Sequence, residues 1–140
     1  MTAQMHEIIF YEGEEYGMAS EPLKPYLKSL KNRPLIEPVS TDCWRGYLGT
    51  WEVRGKRLYL VNLQVSTGGE EEQGMDYIFK GQKEIFAGWF SGRIIIPHGK
   101  LLKYIHMGYA SIYEKELYLD FENGILLDTL TAENIIFDDD

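Results

Sequence analysis

The sequence predicts a β-rich α+β domain, in which a curved antiparallel sheet or partly closed β-barrel of hairpins carries one short helix. Three observations predict it. Short turn signals that end in glycine punctuate the chain, the segments between them are rich in β-branched, aromatic and aliphatic residues, and one segment has helical spacing. We expect about six to eight strands. The four turns are Glu12-Gly13, Arg54-Gly55, His98-Gly99 and Asn123-Gly124.

The first and last hairpins have the simplest patterns. Residues 6–11 have strand composition, and the turn at Glu12-Gly13 predicts a return strand through Tyr16 and Met18. Later in the chain, apolar and polar residues alternate before Asn123-Gly124, a dipeptide typical of a type I′ turn. The residues expected to share one face of that strand are Leu117, Leu119 and Phe121.

One helix is predicted over residues 20–32. Ser20 is placed to act as its N-cap, and Pro22 and Pro25 fall in the first turn, where a missing N–H has little cost. Pro34 prevents much continuation beyond this segment. Because the helix is short, it needs contacts with the sheet for its stability. The apolar stripe consists of Leu23, Leu27 and Leu30, and Lys24, Lys28 and Lys31 take the opposite side.

The second hairpin pairs residues 47–53 with residues 56–63 around a two-residue loop, Arg54-Gly55. This register places an apolar pair on one face of the hairpin and an oppositely charged pair on the other. A slip of one residue would lose both matches, so the register is a specific prediction. The predicted cross-strand pairs are Trp51 with Leu58 and Glu52 with Arg57.

The third hairpin is predicted from residues 92–96 and 100–109, which flank Pro97-His98-Gly99. Three consecutive isoleucines in the first strand suggest burial on both of its faces. In the return strand, the alternation of side chains places Tyr104 and His106 on the same face. Residues 75–86, which precede this hairpin, have no clean period and are expected to be irregular or a short helix.

The length and composition favour a single domain over residues 1–140, with a frayed acidic end at 138–140. The net charge of −8 disfavours nucleic-acid binding. Lys24, Lys28, Lys31 and Arg33 form the one basic cluster, which is interpreted as a solvated helix face. The single cysteine, Cys43, and the lack of a long apolar run predict a cytoplasmic protein that does not contact membranes.

No fingerprint of catalysis, nucleotide binding or metal binding is present in the sequence, and no cofactor is expected. A site assembled in space needs no such motif, so an enzyme remains the alternative. In a hydrolase or isomerase of small molecules, His106 would be the base. Glu114 would orient it, and Tyr104 or Tyr109 would donate a hydrogen bond. A half-buried, purely structural role for His106 is the competing interpretation.

Aromatic residues interleaved with glycines form the main candidate contact face. Glycine beside tryptophan or tyrosine can shape a shallow groove for a ligand or peptide. The glycines could equally relieve crowding inside a small barrel, and the sequence leaves both accounts open. The candidate contact residues are Trp44, Tyr47, Trp89, His106, Tyr109 and Tyr113.

Residues 43–60 (CWRGYLGTWEVRGKRLYL) and 86–119 (FAGWFSGRIIIPHGKLLKYIHMGYASIYEKELYL) resemble segments of small uncharacterised bacterial proteins. The resemblance implies a bacterial, cytoplasmic protein and transfers no functional residue. The residues themselves favour a small acidic binding or interaction protein over an enzyme. Its partner would be a basic protein or a small ligand, and its oligomeric state is left open.

Overall fold

The computed structural model describes residues 4–38, 42–69 and 71–134. In this part of the chain, eight strands, one α-helix (α1, Lys24–Ser29) and one 3-10 helix (Met75–Tyr77) are present. The strands are β1 (Glu7–Tyr11), β2 (Glu14–Met18), β3 (Tyr47–Arg54), β4 (Arg57–Val65), β5 (Ile85–Phe86), β6 (Gly92–Lys103), β7 (Ile112–Glu122) and β8 (Ile125–Glu133).

All eight strands belong to one sheet, in the order β2-β1-β3-β4-β8-β7-β6, with β5 paired to β4. The predicted fold class, a β-rich α+β domain with a curved sheet and one short helix, is confirmed, and the sheet is not closed. Most neighbours are antiparallel. The exception is β1, which runs parallel to β3 because the chain between them crosses over through α1.

Two of the predicted turns form as expected. Glu12 and Gly13 connect β1 to β2 with φ values of 49° and 80°. Asn123 and Gly124 connect β7 to β8 with φ values of 50° and 79°. Positive φ at both central residues defines the type I′ turn, whose twist matches that of the flanking strands. Leu119 and Phe121 are buried on the predicted face of β7, and Leu117 is half-buried there.

The register of the second hairpin differs from the prediction. Gly55 and Lys56 are the two turn residues, both with positive φ, so Arg54 pairs with Arg57 and the predicted Arg54-Gly55 loop is wrong. From Trp51 to Arg54 the displacement moves each partner by two residues, which keeps these side chains on their expected faces. A β-bulge between Thr50 and Trp51 shifts the register by one further residue. The observed pairs are Trp51 with Leu60 and Glu52 with Tyr59.

The predicted third hairpin is also wrong. Strand β6 continues through Pro97-His98-Gly99, and its hairpin partner is β7. Gly99, at φ 79°, and Lys100 together oppose the single residue Glu114, so the glycine forms a β-bulge rather than a turn. Pro97 is tolerated because β6 lies at the end of the sheet order. The chain reverses instead at residues 104–111.

Helix α1 is shorter than predicted, and its N-cap is Leu23, not Ser20. The Ser20 hydroxyl instead accepts a hydrogen bond from the Ile95 N–H (2.9 Å) and lies 3.4 Å from the Arg93 carbonyl. Ala19 N–H donates to the Ile95 carbonyl (2.8 Å). Residues 19 and 20 thus bring the chain after β2 against β6, at the opposite end of the sheet order.

The core lies between the inner face of the sheet and the segments that cross it. Trp51 is at its centre and is fully buried, and α1 is held over it by aromatic side chains. The 3-10 helix and the short strand β5 occupy the segment that was predicted to be irregular or briefly helical. No helix within the described ranges is long and apolar enough to span a bilayer.

Candidate ligand-binding groove

Glu7 in β1 is the one charged residue among the buried residues of the described chain. Strand alternation gives Glu7 and Ile9 the inward face and leaves Ile8 and Phe10 partly exposed. A carboxylate in such a position needs polar partners. Its Oε1 accepts hydrogen bonds from Gly49 N–H (2.8 Å) and from Trp51 Nε1–H (3.1 Å).

Burial raises the pKa of Glu7 from 4.5 to about 7. The Arg45 guanidinium and the hydrogen bonds from Trp51 and Gly49 oppose this rise, because each stabilises the ionised carboxylate. The other oxygen, Oε2, lies 3.5 Å from Arg45 Nε. Neither of these two atoms has a hydrogen-bond partner among the described residues.

Arg45 lies in the turn before β3, and only 7% of its side chain is exposed. Its Nη1 donates to the hydroxyl of Tyr109 (3.1 Å), and its Nη2 donates to the carbonyl of Met5 (2.9 Å). Glu21 lies 3.9 Å from Nε on the side of the helix. The guanidinium is therefore held by elements that are far apart in sequence.

A groove of about 430 Å³ opens between α1 and the turn that carries Arg45. Four cationic side chains line it, together with one carboxylate, three aromatic rings, an amide and a leucine. The lining residues are Gln4, Glu21, Lys24, Leu27, Lys28, Arg33, Trp44, Arg45, Tyr47 and Tyr109. We call this space the Arg45 groove.

The phenol groups of the Arg45 groove stay protonated at neutral pH. Burial raises the pKa of Tyr47 well above its ordinary value, and the nearby carboxylates Glu7 and Glu21 raise it further. Burial also raises the pKa of Tyr109, although Arg45 opposes this rise. Both hydroxyls can therefore act as neutral hydrogen-bonding groups beside the guanidinium.

Comparisons with known proteins identify no relative of this chain. No protein-family model matches the chain, and neither the curated proteins nor the solved structures give a significant match.

The structure brings together three of the predicted contact residues. Trp44, Tyr47 and Tyr109 all line the Arg45 groove, and Trp44 is 46% exposed. Gly46, next to them, has φ 76°, and a Cβ there would lie 2.7 Å from the Ile36 side chain. Close packing therefore explains why residue 46 is a glycine. At this position the glycine relieves crowding, which was one of the two explanations that the sequence left open.

Tyr113 lies in an adjoining pocket of about 240 Å³, which shares Gln4 and Tyr109 with the Arg45 groove. Its ring centroid is 6.3 Å from that of His6, whose ring is 5.5 Å from that of Tyr109. Burial lowers the pKa of His6, and the Arg45 charge lowers it further. The imidazole is therefore mainly neutral at pH 7, and the described residues that line this pocket include no lysine or arginine.

Trp89 is not brought together with the other contact residues. Its ring packs on Tyr26 of α1 at 4.9 Å between centroids and stacks on Phe79 at 6.0 Å. Its Nε1–H donates to the carbonyl of Pro22 (2.8 Å). These contacts fix the helix to the sheet, and the helix in turn forms one wall of the Arg45 groove.

The candidate catalytic residues do not line a common groove within the described residues. Tyr104 and His106 do meet, with the hydroxyl 2.9 Å from Nδ1, but both are exposed and lie in the loop after β6 rather than in a strand. The carboxylate of Glu114 lies beside Gly99 at the bulge. The enzymatic role of His106 stays a prediction. No group of three or more potential metal ligands occurs in the described residues.

Sequence reasoning missed Glu7 and Arg45 and interpreted the lysines of α1 as a solvated face. One signal could have revealed Glu7. The alternation of side chains in residues 6–11 places Glu7 on the same face as Ile9, whereas Ile8 and Phe10 share the other face, and either of these apolar faces could have been the buried one. Nothing local marks Arg45, since its partners Met5 and Tyr109 come from distant segments. Chemically, the arrangement can bind an anion beside aromatic rings.

Proposed function

We propose that the protein is a small binding protein that holds an anionic small molecule in the Arg45 groove and performs no catalysis of its own. The observation that carries this proposal is the convergence of four cations on one groove of a chain with net charge −8. A local field of opposite sign to the whole molecule concentrates anions at that place. The three aromatic rings favour a ligand that also has a planar or apolar part.

Each part of the lining has a role in this proposal. Lys24, Lys28 and Arg33 are exposed and can reach a carboxylate or phosphate group without losing a structural contact. Trp44 offers a half-exposed ring for stacking. Arg45 is held rigidly by Tyr109 and Met5, so its charge is oriented before the ligand arrives, which lowers the entropic cost of binding.

A cytoplasmic location is part of the same proposal. Cys43 is a free thiol in the structure, which is compatible with a reducing compartment. The acidic composition also suggests a basic protein as a partner. Such a partner would need an acidic surface, which the Arg45 groove with its four cations does not provide.

The proposal is tested with benzoate and phenyl phosphate as probes and with benzyl alcohol as the neutral comparison. Binding is measured from the quenching of tryptophan fluorescence and from NMR shift changes. We expect both anions to bind more tightly than the alcohol, and Lys28→Ala to weaken them. Lys31→Ala is the matched control, because Lys31 lies outside the lining that the described residues define. Equal binding of the alcohol, or an equal loss in both lysine variants, would overturn the proposal.

A further inference from the structure

Strand β8 has one paired edge and one open edge. It pairs with β7 from Ile125 to Glu133. On its other side it pairs with β4 only at Ile125, opposite Arg57, because β8 runs on past the β3–β4 turn. From Leu127 to Glu133, no strand of the described chain pairs with this edge.

The hydrogen bonds of β8 show which backbone groups point to the open edge. Asn134 N–H donates to the Glu114 carbonyl (2.9 Å), so the even-numbered residues of β8 from Asp128 onward direct their backbone groups toward β7. Before the register shift the parity is reversed, and Leu126 N–H donates to the Lys56 carbonyl (2.7 Å). Odd-numbered residues, from Thr129 to Glu133, direct theirs outward. In agreement, Thr129 N–H donates to its neighbour's carboxylate, Asp128 Oδ1 (2.9 Å), and not to β7.

A second groove lies where the open edge begins. It has a volume of about 410 Å³ and lies between Leu127 and Thr129 of β8 and the turns at Gly55 and Glu12. Leu127 and Leu130 are 63% and 54% exposed, so apolar side chains accompany the free backbone groups. An extended segment placed along β8 would cover both leucines and enter this groove.

The charge around the open edge indicates what kind of segment fits. Strands β7 and β8 together carry six carboxylates and one lysine. Asp120 is directly opposite Asp128 on the same face, an arrangement of like charges that destabilises a sheet. Arg93 bonds to Asp120 (2.8 and 3.1 Å) and interacts with Asp128 only through its charge, so Asp128 has no salt bridge within the described residues. The carboxylates are Glu114, Glu116, Asp120, Glu122, Asp128 and Glu133.

We propose that the open edge of β8 binds an extended, positively charged segment of a partner protein by β-strand addition. The backbone groups of Thr129, Thr131 and Glu133 would continue the ladder, and lysines or arginines of the partner would neutralise Asp128 and Glu133. A second copy of this chain fits less well, because it would bring another −8 charge to an acidic edge. The surface shares no lining residue with the Arg45 groove.

The test uses a fluorescent ten-residue peptide of alternating lysine and valine, with a glutamate-for-lysine peptide as comparison. Binding to the full chain is followed by fluorescence anisotropy. Thr131→Pro removes an outward N–H that does not take part in the β7 ladder, and Thr131→Ala is the matched control that retains it. We expect Thr131→Pro to weaken binding about tenfold and Thr131→Ala to change it less than about twofold.

Charge and backbone contributions are separated by salt and by hydrogen exchange. Asp128→Asn should weaken binding at low ionic strength, and the difference should vanish at high salt. The amides of Thr131 and Glu133 should gain protection when the lysine–valine peptide binds. The proposal is overturned if this peptide does not bind, if the glutamate peptide binds equally well, or if a correctly folded Thr131→Pro variant binds like the parent. Sedimentation that shows a dimer through this edge would overturn the assignment to a basic partner.

Discussion

The Nε atom of Arg45 lies 3.5 Å from Oε2 of Glu7, and both side chains are more than nine-tenths buried. The pair joins β1 to the turn before β3, so it links the edge of the core to the wall of the Arg45 groove. Two buried charges close together stabilise a fold only when their remaining polar atoms are satisfied. These two atoms have no hydrogen-bond partner in the described chain, so the pair is incompletely hydrogen-bonded.

The first prediction concerns the pH dependence of stability. Because burial raises the pKa of Glu7 to about 7, the folded protein binds the proton of this carboxyl more tightly than the unfolded chain does. The resulting stabilisation is complete below pH 4.5 and is lost as the pH rises through about 7. Glu7→Gln cannot ionise. Between pH 4.5 and 8, we expect the free energy of unfolding of the parent to fall by up to about 3 kcal/mol more than that of the Glu7→Gln variant.

Urea unfolding at a series of pH values measures this difference. Glu122→Gln is the control, because Glu122 is an exposed residue next to the β7–β8 turn. Its profile should follow that of the parent chain. A Glu7→Gln profile parallel to the parent's would show that Glu7 keeps the same pKa in the folded and unfolded states.

The second prediction concerns the lack of space beside Glu7. A Cβ on Gly49 would lie 2.5 Å from Glu7 Oε1 and 2.8 Å from Trp51 Nε1. Gly49→Ala must therefore displace the carboxylate or the indole, and we expect a loss of about 1–3 kcal/mol in stability. Gly69→Ala is the control, since its nearest atom would be 3.9 Å away. Equal thermal stability of the two variants would show that the core accommodates the methyl group.

The fold was predictable where local chemistry determines the backbone. Asn123-Gly124 specifies a type I′ turn whatever surrounds it, and the alternation of β7 follows from its own residues. Pro97-His98-Gly99 misled for a physical reason, because a glycine with positive φ serves a β-bulge as well as a turn. Only the partner strand distinguishes the two. The parallel pairing of β1 with β3 also depends on the long crossover and has no local signal.

The site was predictable only in part. Tryptophan and tyrosine are conspicuous in a sequence, which is why Trp44, Tyr47 and Tyr109 were selected and do lie together. Glu7 was passed over because a glutamate in a strand usually faces water. Its burial depends on Arg45, which comes 38 residues later in the numbering. Such a pair becomes visible only when the sheet brings its two segments together.

The third prediction separates the two tryptophans that were assigned to one contact face. Trp89→Phe removes the hydrogen bond to the Pro22 carbonyl and should cost about 1 kcal/mol of stability or somewhat more. It should leave benzoate binding nearly unchanged. Trp44→Phe should have the opposite effect, because Trp44 is half-exposed and lines the Arg45 groove. Thermal melting and benzoate titration measure the two properties. A binding defect in Trp89→Phe larger than that in Trp44→Phe would contradict this division.

The fourth prediction concerns Ser20, which holds two parts of the sheet together instead of capping α1. Its hydroxyl accepts a hydrogen bond from Ile95 N–H (2.9 Å), so Ser20→Ala leaves that amide without its acceptor and should cost about 1 kcal/mol. Hydrogen exchange at Ile95 should become faster, while the helical signal in circular dichroism stays the same. Ser29→Ala is the control, because its hydroxyl bonds within the helix, to the Tyr26 carbonyl (2.6 Å).

The pattern of amide exchange decides between the two roles of Ser20. A clamp on β6 affects the Ile95 amide and leaves Lys24–Ser29 protected as before. An N-cap affects the first turn of α1 and leaves Ile95 unchanged. If Ser20→Ala speeds exchange in the helix alone, the serine caps α1 in solution. In that case, the hydrogen bond from Ala19 N–H to the Ile95 carbonyl (2.8 Å) would be the remaining link between β6 and the chain that follows β2.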